Sequence, residues 1–353
     1  MPTLPGGPGE GLCVGGVPIP GRFFLAPMVG YTHLPFRQIA REMGAALVST
    51  EMISAEALVR RHPKALDLLR LDPSERPISV QLMGKEPAAL AEAARIAEAS
   101  GADLIDLNCG CPVRRVVEGG AGARLLLLPE LAGRLVRAMR GAVGCPITVK
   151  MRTGWDSQGP AEAQRFARAV EENGAAAVAV HGRSRKDLFR GEVDLEAVAR
   201  IKASLRVPVI GNGGVAGVRD SVRMFRETGC DAIMLARGAV GNPWLFARLR
   251  GFFEWGELAP PPGLRERLRV ALDHLERLRL LFGEGRAVKE GRKHMVAYTK
   301  GLPGSAAFRE ALTRMESYRE LALSLRDLFA RARGRSPIGR LRECGSSVPG
   351  GEG

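Results

Sequence analysis

The chain has 353 residues, 45% of them hydrophobic and 25% charged, which is ordinary for a globular protein with one large domain or two unequal ones. Its formal net charge of +14 favours a polyanionic partner, such as nucleic acid or an anionic lipid surface. No uncharged apolar run reaches the roughly 18 residues of a membrane span, and the N-terminus lacks a signal-peptide pattern, so neither membrane insertion nor export is predicted.

Eight short apolar segments recur along the first two thirds of the chain, and each is predicted to be a buried strand. Amphipathic stretches such as 87–100 and 129–142 separate most of them. Strand and helix alternating eight times predict an α/β fold, the (β/α)₈ or TIM barrel. A doubly wound sheet is the alternative, although no Gly-x-Gly-x-x-Gly turn follows the first segment. The eight segments are 23–26, 47–49, 78–82, 104–107, 147–150, 177–180, 207–210 and 232–235.

The pattern changes after the eighth segment. Residues 256–263 form a Gly- and Pro-rich break, and the spacing from 264 to about 333 is helical throughout. Leucines at this spacing, among them Leu275, Leu278, Leu321 and Leu325, are predicted core positions, and Arg267 is among the arginines expected to face away from them. From Trp244 onward the chain has 21 Lys and Arg against 13 Asp and Glu, more basic than its share. We predict an N-terminal extension over 1–20, a catalytic barrel over 21–255, a smaller all-helical domain over 264–333 and a disordered tail over 334–353.

Polar residues stand at the C-terminal ends of the predicted strands, where barrel enzymes place their sites. Asn108 and Cys111 follow the fourth strand, Lys150 and Arg152 the fifth, and His181 the sixth. Each alone has a structural explanation, such as a satisfied backbone group or a strand end in solvent. Stability does not require them to share one rim, so together they indicate a catalytic site.

The loops after the seventh and eighth strands are suited to an anion. Phosphate commonly binds there in this fold, because glycine lets backbone amides approach it closely. Gly213 and Gly214 stand in the first loop and Arg237 in the second, which indicates a phosphorylated ligand or cofactor. Lys150 would then face a flavin ring, where a cation stabilises the reduced form. Alternatively, Lys150 is the Schiff-base lysine of an aldolase.

Cys111 could be a nucleophile, a metal ligand or an acid. At an ordinary pKa of about 8.5 a thiol stays mostly protonated at neutral pH, so it can donate a proton to a carbon that becomes a carbanion. No second ligand pair lies near Cys109 and Cys111, so no metal site is predicted. Cys109 is predicted to point away from the rim and to serve packing. The six cysteines are scattered rather than spaced as a disulfide framework, which predicts a reducing, cytoplasmic location.

Several motifs stand in a fixed order: Ala26-Pro27-Met28, Gln81, Asn108-x-Gly110-Cys111-Pro112, Val149-Lys150-x-Arg152-Thr153-Gly154-Trp155, His181-Gly182-Arg183 and Asn242-Pro243-Trp244. Together they resemble the tRNA-dihydrouridine synthases, and they are most similar to the bacterial B-type branch. The resemblance covers about residues 21–333 and implies an FMN barrel with a helical tRNA-binding domain. It implies no membrane and no obligate protein partner.

The reaction that this resemblance implies is reduction of the C5–C6 double bond of a uridine in tRNA, with NADPH or NADH as the reductant. Hydride would pass from flavin N5 to uracil C6, and Cys111 would protonate C5. Asn108 and Arg152 would hold the uracil. The residues that the resemblance places beside FMN are Pro27, Met28, Val29, Gln81, Lys150, His181, Asn212, Gly213, Gly214, Ala236 and Arg237.

Three basic residues of the helical domain, Arg292, Lys293 and Lys300, are the candidate contacts to tRNA phosphate. Their alternative interpretation is a solvated helix face. Two rival functions stay open at this point. One is a flavin barrel that reduces a free pyrimidine or another small enone, and the other is a non-catalytic RNA-binding barrel.

Overall fold

The computed structural model describes residues 10–156 and 160–334. The chain divides into two compact units, the first ending at Pro262 and the second beginning at Gly263. The tail predicted to be disordered lies outside the described residues, except for Gly334, and so do residues 1–9 of the predicted extension. Among the helices of the described ranges, none is both long and apolar enough to cross a membrane.

The first unit begins with a short antiparallel pair, β1 (Leu12–Val14) and β2 (Val17–Ile19). A parallel sheet follows. Its strands are β3 (Phe23–Leu25), β4 (Val48–Ser49), β5 (Ile53–Ser54), β6 (Ile78–Met83), β7 (Leu104–Cys109), β8 (Ile147–Arg152), β9 (Ala177–His181), β10 (Val209–Asn212) and β11 (Ala232–Leu235).

The sheet closes into a barrel. Its order runs β3, β11, β10, β9, β8, β7, β6 and β4, and β5 extends the path of β4 by also pairing with β6. The amide of Ala46 donates to the carbonyl of Phe23, and that of Leu25 to Leu47, each at 2.8 Å, which joins the last strand to the first. The predicted (β/α)₈ barrel is therefore confirmed, with each of the eight predicted strands within two residues of its predicted bounds, whereas β5 was not predicted.

Helices separate the barrel strands. Several of them begin with Pro in the first turn, where its missing N–H costs no hydrogen bond. The helices of the first unit are α1 (Leu34–Glu42), α2 (Ala55–Val59), α3 (Pro63–Leu68), α4 (Pro87–Ala99), α5 (Arg114–Glu118), α6 (Pro129–Arg140), α7 (Pro160–Glu172), α8 (Leu195–Ser204), α9 (Val218–Thr228) and α10 (Leu245–Trp255).

Alternate side chains of the barrel strands point to opposite faces. Ile105, Leu107 and Cys109 of β7 belong to the apolar cluster that the helices cover, which is the packing role predicted for Cys109. Leu104 belongs to a second cluster, together with residues of β3, β9 and β10. That second cluster includes Val14 of the β1–β2 pair, so the pair packs on the barrel. The sequence pattern does not predict this pair.

The second unit is all-helical, as predicted: α11 (Leu264–Phe282), α12 (Glu284–Tyr298), α13 (Ser305–Leu312) and α14 (Tyr318–Ala332). Leu275 and Leu278 of α11 are buried, as are Leu321 and Leu325 of α14, so these predicted core positions are confirmed. Arg267 was expected to face solvent, but this prediction is wrong. Its guanidinium is half-buried and donates to the carbonyls of Tyr298 (2.6 Å) and Lys300 (3.0 Å), the carbonyls left open at the end of α12.

Candidate active site at the barrel rim

The strand register brings the predicted residues side by side. Asn108 at the end of β7 is paired with Lys150 of β8, and Arg152 is paired with His181 of β9. His181 is in turn paired with Asn212 of β10. Because all these strands are parallel, the residues meet at one rim, and Cys111 follows β7 on the same side.

Cys111 is positioned by the amide of Asn108. The Asn108 Oδ1 atom accepts hydrogen bonds from the backbone N–H of Gly110 (3.2 Å) and of Cys111 (3.0 Å), and so it fixes the turn that follows β7. The Cys111 carbonyl accepts from the Ala123 N–H at 3.0 Å, which ties the other end of the loop back to the turn. The thiol is thus held on a short, doubly anchored segment.

A buried chain of hydrogen-bonded side chains supports the Asn108 amide. Asn108 Nδ2 donates to Gln81 Oε1 at 2.7 Å, and Gln81 Nε2 donates to Asp106 Oδ2, also at 2.7 Å. Thr148 Oγ1 donates to the other carboxylate oxygen of Asp106 at 2.7 Å. The sequence predicts Asp106 only as part of an apolar strand and does not reveal that it accepts hydrogen bonds from Gln81 and Thr148. Polarity inside a buried strand was the available signal.

Burial determines how the thiol titrates. It raises the pKa of Cys111, and the nearby cations of Arg152 and Lys150 only partly oppose this rise. Burial also raises the pKa of Asp106. Cys111 is therefore mostly a neutral thiol at physiological pH, which suits a proton donor better than a thiolate nucleophile.

Lys150 points along the rim toward β10. Its Nζ donates to Asn212 Oδ1 at 3.0 Å, and Asn212 Nδ2 donates to the carbonyl of Met234 at 2.7 Å. Burial, with a smaller effect of the Arg152 charge, lowers the pKa of Lys150 to about 8. The ammonium group is charged at neutral pH, but it loses its proton far more readily than an exposed lysine.

His181 is neutral at this rim. Burial, followed by the charges of Lys150 and the nearby arginines, lowers its pKa to about 2. Its Nε2 lies 3.4 Å from Nη1 of Arg183, and because a guanidinium can only donate, this contact favours the tautomer in which Nε2 accepts and Nδ1 carries the proton. His181 can therefore offer a neutral N–H to a ligand at the rim.

Arg152 links two loops of the rim. It is only 2% exposed, and its Nε donates to the carbonyl of Gly110 at 2.8 Å. Its Nη1 donates to the carbonyls of Ser184 (2.8 Å) and Leu188 (2.7 Å), in the loop after β9. Burial lowers the pKa of Arg152 to about 10, so it stays charged. In this arrangement its guanidinium binds backbone carbonyls, and its contact with uracil stays a prediction.

The loop after β9 carries an aromatic ring to the rim. Phe189 is 56% exposed, with the guanidinium carbons of Arg152 at 5.3 Å and Arg237 at 5.6 Å from the ring centroid. Arg183 donates to the carbonyls of Arg190 and Gly191 and holds the far side of this loop. The sequence does not predict a role for Phe189, because a single aromatic residue in a polar loop forms no pattern.

The loops after β10 and β11 form a close backbone pair. Gly213 and Gly214 adopt φ of +116° and +71°, a region that favours glycine. A Cβ on Gly238 would lie 2.4 Å from the carbonyl oxygen of Val215, so only glycine allows the two loops to meet. Ala236 is half-buried and Arg237 is exposed beside them. Open backbone next to an exposed cation fits a phosphate group.

The other predicted cofactor positions differ in exposure. Pro27 and Met28 are half-buried at the exit of β3, and Val29 is 61% exposed. Gln81 is buried, and both ends of its amide are engaged by Asp106 and Asn108. Nothing in these contacts prevents Pro27, Met28 and Val29 from touching a ligand, whereas Gln81 is chiefly part of the buried chain.

The three predicted phosphate contacts in the helical unit are not equally available. Arg292 is half-buried and donates to the carbonyl of Met315 at 2.7 Å. Lys293 forms an ion pair with Glu290 at 2.7 Å. Lys300 follows α12 and is exposed. Of the three, Lys300 is the one whose ammonium group has no carboxylate or carbonyl partner among residues 10–156 and 160–334.

The chain is similar to known proteins of one family. The family model described as dihydrouridine synthase matches residues 24–333. The chain is 40% identical over 320 residues to tRNA-dihydrouridine synthase B of Xanthomonas axonopodis pv. citri, covering 90% of this chain and 95% of that protein. It is 37% identical over 317 residues to the protein of the same name from Pseudomonas aeruginosa, with the same coverage.

Solved structures share the fold. Histamine dehydrogenase from Rhizobium sp. 4-9 superposes with a TM-score of 0.56 at 16% identity, over 76% of this chain and 50% of that one. Morphinone reductase superposes with a TM-score of 0.52 at 14% identity, over 74% and 93% respectively. At such low identity these two similarities concern the barrel fold alone.

Proposed function

The chain belongs to the dihydrouridine synthase family, and on that premise we propose that it reduces a uridine of tRNA with bound FMN, with Cys111 as the proton donor. It is a flavin-dependent oxidoreductase that forms dihydrouridine in tRNA. Neither the Schiff-base aldolase nor the non-catalytic RNA-binding alternative is compatible with this family. We further propose that it works in the cytoplasm, where its substrate is made.

The single observation that carries the proposal is the position of Cys111. A neutral thiol is held by Asn108 on the same rim as the Lys150 ammonium and the His181 N–H, beside two glycine-rich loops. When bound, FMN would accept hydride from NADPH or NADH and supply it to C6 of the uracil. The Cys111 thiol, neutral on this rim, would then supply the proton that C5 needs.

The donor set fits FMN. The loops after β10 and β11 provide open backbone and Arg237 for the phosphate, with Gly213, Gly214 and Ala236 lining them. Lys150, held by Asn212, would place a cation against the ring edge that gains negative charge on reduction, and His181 would donate from beside it. Pro27, Met28 and Val29 would cover the ring from the exit of β3.

Asn108 and Arg152 have a positioning role in this proposal as well as a possible one in binding. Asn108 fixes the Cys111 turn, and Arg152 joins that turn to the loop that carries Phe189. An extruded uracil would meet the amide edge of Asn108 and the guanidinium edge of Arg152 only after those groups share their hydrogen bonds with it.

The identity of the cofactor can be tested directly. We expect the purified protein to be yellow and, on heat denaturation, to release FMN that mass spectrometry distinguishes from FAD and riboflavin. Stopped-flow mixing with NADPH and with NADH should bleach the flavin and identify the preferred reductant. A colourless protein that fails to retain added FMN, or one that retains FAD instead, would contradict the proposal.

A further inference from the structure

We propose that a groove between α6 and α7, on the outer wall of the barrel, binds the phosphate backbone of the tRNA substrate. Its volume is about 660 Å³. This proposal rests on the proposed function, because the occupant that we assign to the groove is the tRNA substrate. The barrel wall would then be a phosphate-binding surface in its own right, in addition to the helical unit.

Each helix contributes a pair of arginines to the groove. Arg134 and Arg137 are three residues apart on α6, and Arg165 and Arg168 are three apart on α7. Residues with this spacing lie on the same face of a helix, so each pair faces the groove as a unit. All four side chains are exposed. A helix of 12 residues is about 18 Å long, which leaves room for more than one phosphate.

Only part of this charge is used inside the protein. Arg165 forms an ion pair with Glu130 at 2.5 Å, and Arg137 Nε donates to Asn173 Oδ1 at 2.9 Å. Arg134 and Arg168 form no hydrogen bond or ion pair with the residues that the structure describes. The groove also holds the carboxylates of Glu130 and Glu172, so its four arginines leave an excess of positive charge, with which a bound polyanion would pair while releasing counterions.

The packing keeps the groove narrow. Gly133 of α6 faces Asn173, and a Cβ at Gly133 would lie 2.5 Å from Asn173 Nδ2 and 3.2 Å from the carbonyl oxygen of Ala169. The glycine therefore lets α6 approach the end of α7 closely. As a result, the arginine pairs on the two helices line one groove rather than two separate surfaces.

The two helices of the groove follow the strands that carry the rim residues. α6 follows the strand that leads to Cys111, and α7 follows the strand that ends in Lys150 and Arg152. Helices in this fold begin near the C-terminal rim and run back along the wall. An RNA whose uridine reaches Cys111 can therefore lay an adjoining stretch of backbone along these two helices.

The test compares two triple variants that lose the same charge. Arg134→Gln/Arg137→Gln/Arg168→Gln removes three groove cations, and Arg219→Gln/Arg223→Gln/Arg226→Gln removes three exposed arginines from α9, elsewhere on the wall. We expect the groove variant to weaken tRNA binding about tenfold and to reduce the slope of log Kd against log salt by about two. Turnover at saturating tRNA and FMN content should stay at the wild-type level.

A groove variant that binds tRNA within twofold of the α9 variant would overturn the proposal. Saturable binding of inorganic phosphate that the groove variant loses, with tRNA affinity unchanged, would also overturn it, since the groove would then hold a small anion. The proposed function fails separately, if wild-type protein binds tRNA through the groove but forms no dihydrouridine.

Discussion

At the scale of single residues, the site depends on a relay of hydrogen bonds rather than on Cys111 alone. The relay runs from Thr148 through Asp106 and Gln81 to Asn108, whose side chain holds the Cys111 backbone. All of its links are buried or half-buried, so each missing partner leaves a polar group without water to replace it. The orientation of the thiol is therefore sensitive to the Asp106 carboxylate, which acts on it through Gln81 and Asn108.

Asp106→Leu tests this positioning role. Removing the carboxylate leaves Gln81 Nε2 and the Thr148 hydroxyl without their acceptor, at a cost of about 1–3 kcal/mol each. We expect kcat to fall at least tenfold while KM for tRNA and FMN content change little. Thr148→Val is the matched control, since it removes one donor and keeps the rest of the relay. Equal kcat for the two variants would show that Asp106 serves stability only.

We expect Lys150 to give the reaction a pH dependence. Its pKa is lowered to about 8, so the cation is present below that pH and is lost as the pH rises through it. We expect the rate of flavin reduction by NADPH to decline between pH 7 and 9 in the wild type. Lys150→Met should be slower by about tenfold or more and flat over this range, because the stabilising charge is absent throughout.

Lys150→Arg is the control for charge, because a guanidinium stays protonated across the whole range. It should retain part of the rate and lose the pH dependence. An unchanged decline in Lys150→Arg would assign the titration to another group.

At the scale of elements, the barrel could be predicted because its strands are short apolar runs that alternate with amphipathic helices. The rim residues could be predicted as well, since C-terminal ends of parallel strands meet at one edge. The hydrogen-bond partners of Arg152 could not be predicted from the sequence. They are backbone carbonyls of Gly110, Ser184 and Leu188, and every residue has a carbonyl, so nothing in the sequence marks these three.

The β1–β2 pair was missed for a different reason. Its strands are three residues long, too short for a period of two to be recognised, and they lie in a region rich in Gly and Pro. What holds the pair is contact with distant residues. A Cβ on Gly15 would lie 2.4 Å from Cβ of Pro146 and 3.0 Å from that of Ala176.

Gly15→Ala tests how closely this pair packs on the barrel. Both Gly15 and Gly16 have positive φ, but a Cβ on Gly16 would meet nothing within 4 Å. Gly16→Ala therefore carries the backbone cost without the clash. We expect Gly15→Ala to lower the free energy of unfolding by about 1–3 kcal/mol more than Gly16→Ala, measured by urea titration. Equal losses would mean that the pair is loosely attached.

At the scale of the whole molecule, the net charge of +14 predicted a polyanion but not where it binds. The structure separates cations that face solvent from those that hold the protein together. In the helical unit, Arg292 binds the carbonyl of Met315 and Arg267 binds two carbonyls, whereas Lys300 is exposed. Charge counted along the sequence therefore overstates the charge available to RNA.

Lys300→Gln and Arg292→Gln should separate these two classes of cation. We expect Lys300→Gln to reduce the salt dependence of tRNA binding by about one phosphate equivalent and to leave the unfolding midpoint unchanged. Arg292→Gln should lower the free energy of unfolding by about 1 kcal/mol, through the lost hydrogen bond to Met315, and change the salt slope less. The reverse ranking of the two salt slopes would refute this assignment.

The central claim is that Cys111 delivers the proton that completes reduction of a tRNA uridine. The most direct measurement is to incubate the FMN-loaded protein with NADPH and unmodified tRNA, digest the RNA and detect by mass spectrometry uridine that has gained two hydrogens. We expect this product from the wild type and from Cys145→Ala, and a loss of about 10²-fold or more in Cys111→Ala with FMN retained. Full activity in Cys111→Ala would contradict the account.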